Sequence, residues 1–116
     1  MEYGINAMMR CLEALGAMPV LRHGLLTYTV TPTHGARAGQ QVQAGIAEAE
    51  AQLWPATPPH WVHIPEDVMI PGSNTQPSTH PGWLGHSRDI QGWAQEVNHG
   101  MAWLSHVRSV LAGAVS

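Results

Sequence analysis

The chain contains no lysine, a single cysteine and few charges of either sign, and each shortage removes a class of explanation. Its permanent positive charge rests on five scattered arginines, Arg10, Arg22, Arg37, Arg88 and Arg108. Proteins that track nucleic-acid phosphates cluster Lys and Arg on one surface, so no nucleic-acid partner is expected. Cys11 alone cannot form an intramolecular disulfide, and no repeated cysteine spacing supports a structural zinc site. No apolar run approaches the roughly 20 residues that span a bilayer. Met1-Glu2-Tyr3-Gly4 lacks the basic-then-apolar order of a secretion signal. The expectation is a cytoplasmic chain with no membrane partner. The missing lysines have two readings: a genome that favours arginine codons, or avoidance of a nucleophilic amine.

What is present suits one small globular unit. At 116 residues, with 44% apolar residues and a net charge of −3, the chain is sized for a single domain over residues 1–116, and its charge defines no partner. Ile5, Met8, Met9, Leu12 and Leu15 recur at helical spacing before Gly16 and Pro19, which predicts an amphipathic helix over residues 4–15 with Cys11 packed beside its stripe. Residues 20–30 turn β-branched and aromatic and alternate, as a half-buried strand does. Residues 31–39 carry turn residues without periodicity and read as a hairpin connection. The returning strand is placed at residues 41–53, where Ala47-Glu48-Ala49-Glu50-Ala51-Gln52-Leu53 alternates with period two and Gly45 marks a bulge. Residues 58–65 form a short strand fenced by prolines, which places it at a sheet edge or end. Residues 66–100 hold too many Gly and Pro for long regular elements, and such a stretch is often functional. Trp103, Leu104, Val107, Val110, Leu111 and Ala114 return to helical spacing behind a capping Asn98, predicting a helix over residues 99–112 with Trp103 in the core. The fold class is α/β (α+β): an antiparallel sheet meander flanked by an N-terminal and a C-terminal helix.

Eight histidines raise the question of a metal, with His60, His63, His80 and His86 as the candidates. Residues three apart on a strand point to opposite faces, and Pro58, Pro59 and Pro65 oppose a helix there, so His60 and His63 do not converge on one ion. They read as sheet-surface or loop residues, and His99 and His106 as half-exposed polar residues of the last helix. No metal and no cofactor are expected. A Gly-x-Ser-x-Gly elbow and a phosphate-binding glycine loop are both absent, and no Ser/His/Asp triad is legible from spacing. What remains is residues 78–88, where imidazole, hydroxyl and guanidinium groups follow one another in His86-Ser87-Arg88. A serine becomes a useful nucleophile beside a base, and an arginine can hold an oxyanion. The structural alternative is a turn that ties this loop down through hydrogen bonds.

Three segments carry a resemblance: Trp54-Pro55-Ala56-Thr57-Pro58-Pro59-His60-Trp61-Val62-His63-Ile64-Pro65, His80-Pro81-Gly82-Trp83-Leu84-Gly85-His86-Ser87-Arg88, and Trp103-Leu104-Ser105-His106-Val107-Arg108-Ser109-Val110-Leu111. In this order they resemble the bacterial ubiquitin-conjugating-enzyme-like (UBC-like) family of ubiquitin-like conjugation operons. Trp54-Pro55-x-x-Pro58-Pro59 is similar to the Tyr-Pro-x-x-Pro-Pro stretch that closes the family's meander, and His80-Pro81-Gly82 to its His-Pro-Asn. The family pattern then places a catalytic cysteine, and none follows Cys11 here. The resemblance implies a UBC-like fold and two partners, a ubiquitin-like protein and a ubiquitin-activating-enzyme-like protein, in a pathway whose context is antiphage defence. It also implies that a hydroxyl, Ser87 first and Ser78 second, accepts the ubiquitin-like C-terminus as an oxyester, with His86 or His80 as base and Arg88 on the oxyanion. One alternative is a non-catalytic UBC-like adaptor that binds those partners. Another, outside this chemistry, is a His-based metal-binding protein. Trp54, Trp61, Trp83 and Trp93 either pack the irregular segment down or form a partner-facing patch. A protein that handles activated acyl groups gains from lacking amines that would capture them.

Overall fold

The apolar stripe of the first segment gives a helix because one face can be buried while Glu13 and Arg10 stay on the other side. The computed structural model describes residues 3–116, and in it α1 covers Ile5–Ala14, with Ile5, Ala7, Met8 and Leu12 buried. Leu15, expected in the stripe, lies beyond the last turn and is 37% exposed. Helix α2, His99–Leu111, starts at Asn98, whose side chain accepts the Met101 N–H at 3.0 Å. The two helices approach at Gly100, where a Cβ would lie 3.1 Å from both Cys11 Cβ and Leu15 Cδ1. Cys11 is thus a half-buried packing residue at a close helix crossing.

Six antiparallel strands form one sheet: β1 Val20–Arg22, β2 Leu25–Val30, β3 Val42–Ala47, β4 Trp61–Pro65, β5 Thr75–Pro77 and β6 Trp83–Ser87, in the order β1-β2-β3-β4-β6-β5. The architecture is α+β, as the sequence predicts, but four details differ. Residues 20–30 are two strands, because His23 and Gly24 both take positive φ (52° and 80°) and close a two-residue hairpin between Arg22 and Leu25. Past Ala47 the alternating Ala and Glu residues leave the sheet as a 3₁₀ turn, Glu48–Ala51, and Trp54 enters the core behind it. Gly45 marks no bulge, since β2 and β3 pair one to one from Leu25↔Ala47 to Val30↔Val42; it leaves room for the Leu25 side chain, 3.1 Å from where a Cβ would sit. Strand β4 is interior, between β3 and β6, and its prolines do no harm because Pro58 and Pro59 precede it and Pro65 ends it.

One further difference matters most for the site. The breaker-rich stretch supplies both β5 and β6, and β6 inserts between β4 and β5, so the meander holds only through β4. Glycine is accommodated inside β6 because the Trp61 ring lies across Gly85, its Cε3 3.3 Å from a Cβ placed there. Both helices pack on the face bearing Leu26, Tyr28, Ala44, Ile46, Val62 and Ile64. Trp54 and Trp103 are fully buried there, edge to face with centroids 6.4 Å apart, and Trp103 donates its indole N–H to the Tyr28 hydroxyl at 3.0 Å. Burial pushes the Tyr28 hydroxyl well above the usual phenol range, which keeps it neutral. Alternation along the strands puts Leu25, Thr27, Gly45, Trp61, His63, Trp83, Gly85 and Ser87 on the opposite face.

Candidate active site

Ser87 is the last residue of β6 and pairs with Trp61, the first of β4. The ladder continues one step further, with the Arg88 N–H donating to the His60 carbonyl at 3.1 Å, and this brings the His60 ring beside Ser87. His60 Nε2 lies 2.6 Å from Ser87 Oγ, and His60 Nδ1 lies 3.2 Å from Asp89 Oδ1. An ionised carboxylate only accepts, so Nδ1 carries the ring proton and donates to Asp89. Nε2 is then a bare acceptor, and the Ser87 hydroxyl donates to it. This is the polarity a serine nucleophile needs: hydroxyl, base, and a carboxylate that fixes the tautomer. The Trp61 ring stands edge-on to His60 at 5.2 Å. His60 and Asp89 open onto a cleft lined also by Pro58, Pro59, Arg88, Ile90 and Trp93, with Ser87 behind His60. It is wet, with the His60 and Asp89 side chains 47% and 83% exposed, so the His60–Asp89 attraction is screened and orients more than it stabilises.

The bases expected from adjacency are elsewhere. His86, next to Ser87 on the strand, projects to the helix face and is 2% exposed. Its Nδ1 lies 2.7 Å from Ser73 Oγ, which also accepts from Arg88 Nη1 at 3.0 Å. His86 Nε2 is buried without a partner among the described residues. Burial first, then the charges of Arg88 and His63, holds this imidazole below its ordinary value and neutral. His80 Nε2 donates to the His23 carbonyl at 2.9 Å, pinning its loop to the β1–β2 turn. Arg88 stays beside Ser87, but its Nη1 is committed to Ser73 Oγ and to the Ser87 carbonyl at 2.8 Å.

Ser78 has a set of its own. His63 Nδ1 is 3.0 Å from Ser78 Oγ, and His63 Nε2 is 2.7 Å from Glu50 Oε1. Of the four tryptophans with an open role, Trp54 and Trp93 are core residues, 0% and 7% exposed, because Trp54 meets Trp93 and Trp103 edge to face and Trp93 donates to the Pro55 carbonyl at 2.7 Å. Only Trp61 and Trp83, half-buried on the face away from the helices, can meet a partner. His99 packs on Trp93, with ring centroids 4.6 Å apart, and His106 is half-buried, its Nε2 without a partner among the described residues. Among the described residues no three His, Cys, Asp or Glu side chains converge as metal ligands.

Sequence reasoning missed His60 and Asp89 as partners of Ser87, and His63 and Glu50 as partners of Ser78. The only signal was that each serine has a histidine on a strand-like segment elsewhere; the pairing depends on register. Comparison with protein-family models, with curated proteins and with solved structures returns no match to this chain.

Proposed function

We propose that this protein is an acyl-accepting member of a ubiquitin-like conjugation pathway, in which Ser87 takes the C-terminal acyl group of a ubiquitin-like protein as an oxyester. The single observation that carries the reading is Ser87 Oγ 2.6 Å from His60 Nε2, with Asp89 on the far side of the ring. The order of elements, a helix, an antiparallel sheet whose β6 ends on the candidate nucleophile, then a helix, is compatible with the UBC-like resemblance, and a lysine-free chain offers no side-chain amine to divert an activated acyl group.

In the step proposed, the acyl group arrives as a thioester on the activating enzyme. Ser87 Oγ attacks the carbonyl carbon as its proton passes to His60 Nε2, and Asp89 supports the imidazolium that forms. The C–S bond breaks, the departing sulfur takes the proton from His60, and the serine oxyester remains. An alkoxide is far harder to form than a thiolate, which is why a base must already be hydrogen-bonded to the hydroxyl. The test is intact mass after incubation with ATP, a bacterial ubiquitin-like protein and its activating enzyme. The expected product is an adduct that resists reductant, is cleaved by mild base, and disappears in Ser87→Ala. A charged activating enzyme with no adduct on the wild-type protein would defeat the catalytic reading.

The exposure of the His60–Asp89 pair favours one second reading, a non-catalytic UBC-like adaptor that holds the same partners against Trp61 and Trp83. Partner binding that survives Ser87→Ala and His60→Ala, with no adduct formed, selects it.

A further inference from the structure

We infer that the sheet face turned away from the helices carries a second and separate acyl-accepting site, with Ser78 as nucleophile, His63 as base and Glu50 as positioning residue, suited to small apolar esters. His63 Nε2 faces the Glu50 carboxylate at 2.7 Å and so carries a proton; in the neutral ring that a general base requires, Nδ1 is a bare acceptor. The His80 N–H donates to Ser78 Oγ at 3.1 Å, and toward the neutral ring the Ser78 hydroxyl donates to His63 Nδ1, 3.0 Å away.

This set differs from the Ser87 set in its surroundings. His63 sits between two glycines, Gly45 on β3 and Gly85 on β6, and the neighbouring space is filled by Leu25 and Trp61. The ring is 3% exposed, so water competes little for its hydrogen bonds. Ser78 itself is half-exposed and adjoins a groove through its neighbours: its N–H meets the Trp83 carbonyl at 3.3 Å, and His80, Pro81 and Trp83 line the groove together with Val20, Leu25 and Thr27. The groove encloses about 540 Å3 and is mostly apolar, a size and character that fit a short acyl chain. In the reaction Ser78 Oγ attacks the ester carbonyl while its proton moves to His63 Nδ1. The ester C–O bond breaks, the leaving alcohol takes the proton from His63, and water later hydrolyses the acyl-serine by the same relay.

The test uses the full chain with a fluorophosphonate probe, p-nitrophenyl butyrate as competing ester, and peptide mass spectrometry to locate the label. In Ser87→Ala, which removes the site proposed above, Ser78 is expected to label, and Ser78→Ala is expected to leave the Ser87 label intact. Glu50→Gln is expected to slow Ser78 labelling at least about tenfold, with Glu50→Asp recovering part of the rate. Trp83→Ala is expected to raise the butyrate ester concentration needed to protect Ser78 by about fivefold or more, without affecting Ser87. A folded Ser87→Ala protein in which Ser78 stays unlabelled overturns the inference. So does labelling of Ser78 at the same rate in folded Glu50→Gln, which would leave Ser78 no more than an accessible hydroxyl.

Discussion

The two serine–imidazole–carboxylate sets hold the same three kinds of group in contrasting surroundings. At the strand end Ser87, His60 and Asp89 stand in water, where the exposed carboxylate orients the ring but gains little energy from it. On the sheet face His63 lies between Ser78 and Glu50, its side chain 4% exposed against 47% for His60. Enclosure strengthens each hydrogen bond and makes each removal expensive, whereas exposure leaves the hydroxyl accessible and the framework tolerant. The comparison teaches that the two half-exposed serines differ chiefly in how deeply the neighbouring imidazole is buried.

The sharpest way to break it is chemical. His60→Ala should slow acylation of Ser87 by about 10²–10⁴-fold while leaving Ser78 labelling within about twofold, because the two relays share no group; site-resolved mass spectrometry reads both at once. Stability should run the other way. His63→Ala is expected to lower unfolding free energy by about 2–4 kcal/mol, since it opens a cavity and strands Glu50 and Ser78, while His60→Ala changes it by about 0.5 kcal/mol or less. Urea unfolding of the two variants side by side would undo the comparison if their midpoints fell by equal amounts. A smaller contrast concerns the carboxylates: Glu50→Gln should cost about 1–2 kcal/mol, and Asp89→Asn about 0.5 kcal/mol or less, each by the same assay.

A further contrast sets both relays against the helix side of the sheet. His86 and His106 are held below their ordinary value of 6.5, by burial first and by the Arg88 charge next, with His63 adding to the effect at His86. The folded protein therefore binds fewer protons than the unfolded chain wherever unfolded histidines titrate, and stability rises with pH there. The contribution is complete above about pH 6.5 and is lost as pH falls through the depressed folded values. Thermal melts at pH 7.5 and pH 5 should show the loss, and His106→Gln should reduce it.

Much of this was legible before any coordinates. Helical spacing marked both helices to within a residue or two, and Asn98 named its own role as a cap, because local periodicity and capping depend on neighbours in sequence. The sheet was harder. His23 in positive φ, the departure of Glu48 from the strand and a glycine inside β6 each break a local rule, and each is settled by a long-range contact. Gly85 is tolerated because Trp61 lies on it, and the loop before β6 is held because His80 reaches His23, 57 residues away.

By itself the sequence determined the class of the fold and most of its helical and strand-forming stretches. Tertiary structure alone decided which histidine serves which serine. Residue adjacency pointed Ser87 to His86, but neighbours on a strand face opposite ways. The partner is instead His60, 27 residues away, delivered by the antiparallel register that sets Trp61 against Ser87. Register is fixed by packing of the whole sheet against its core, and no local pattern of residues encodes it.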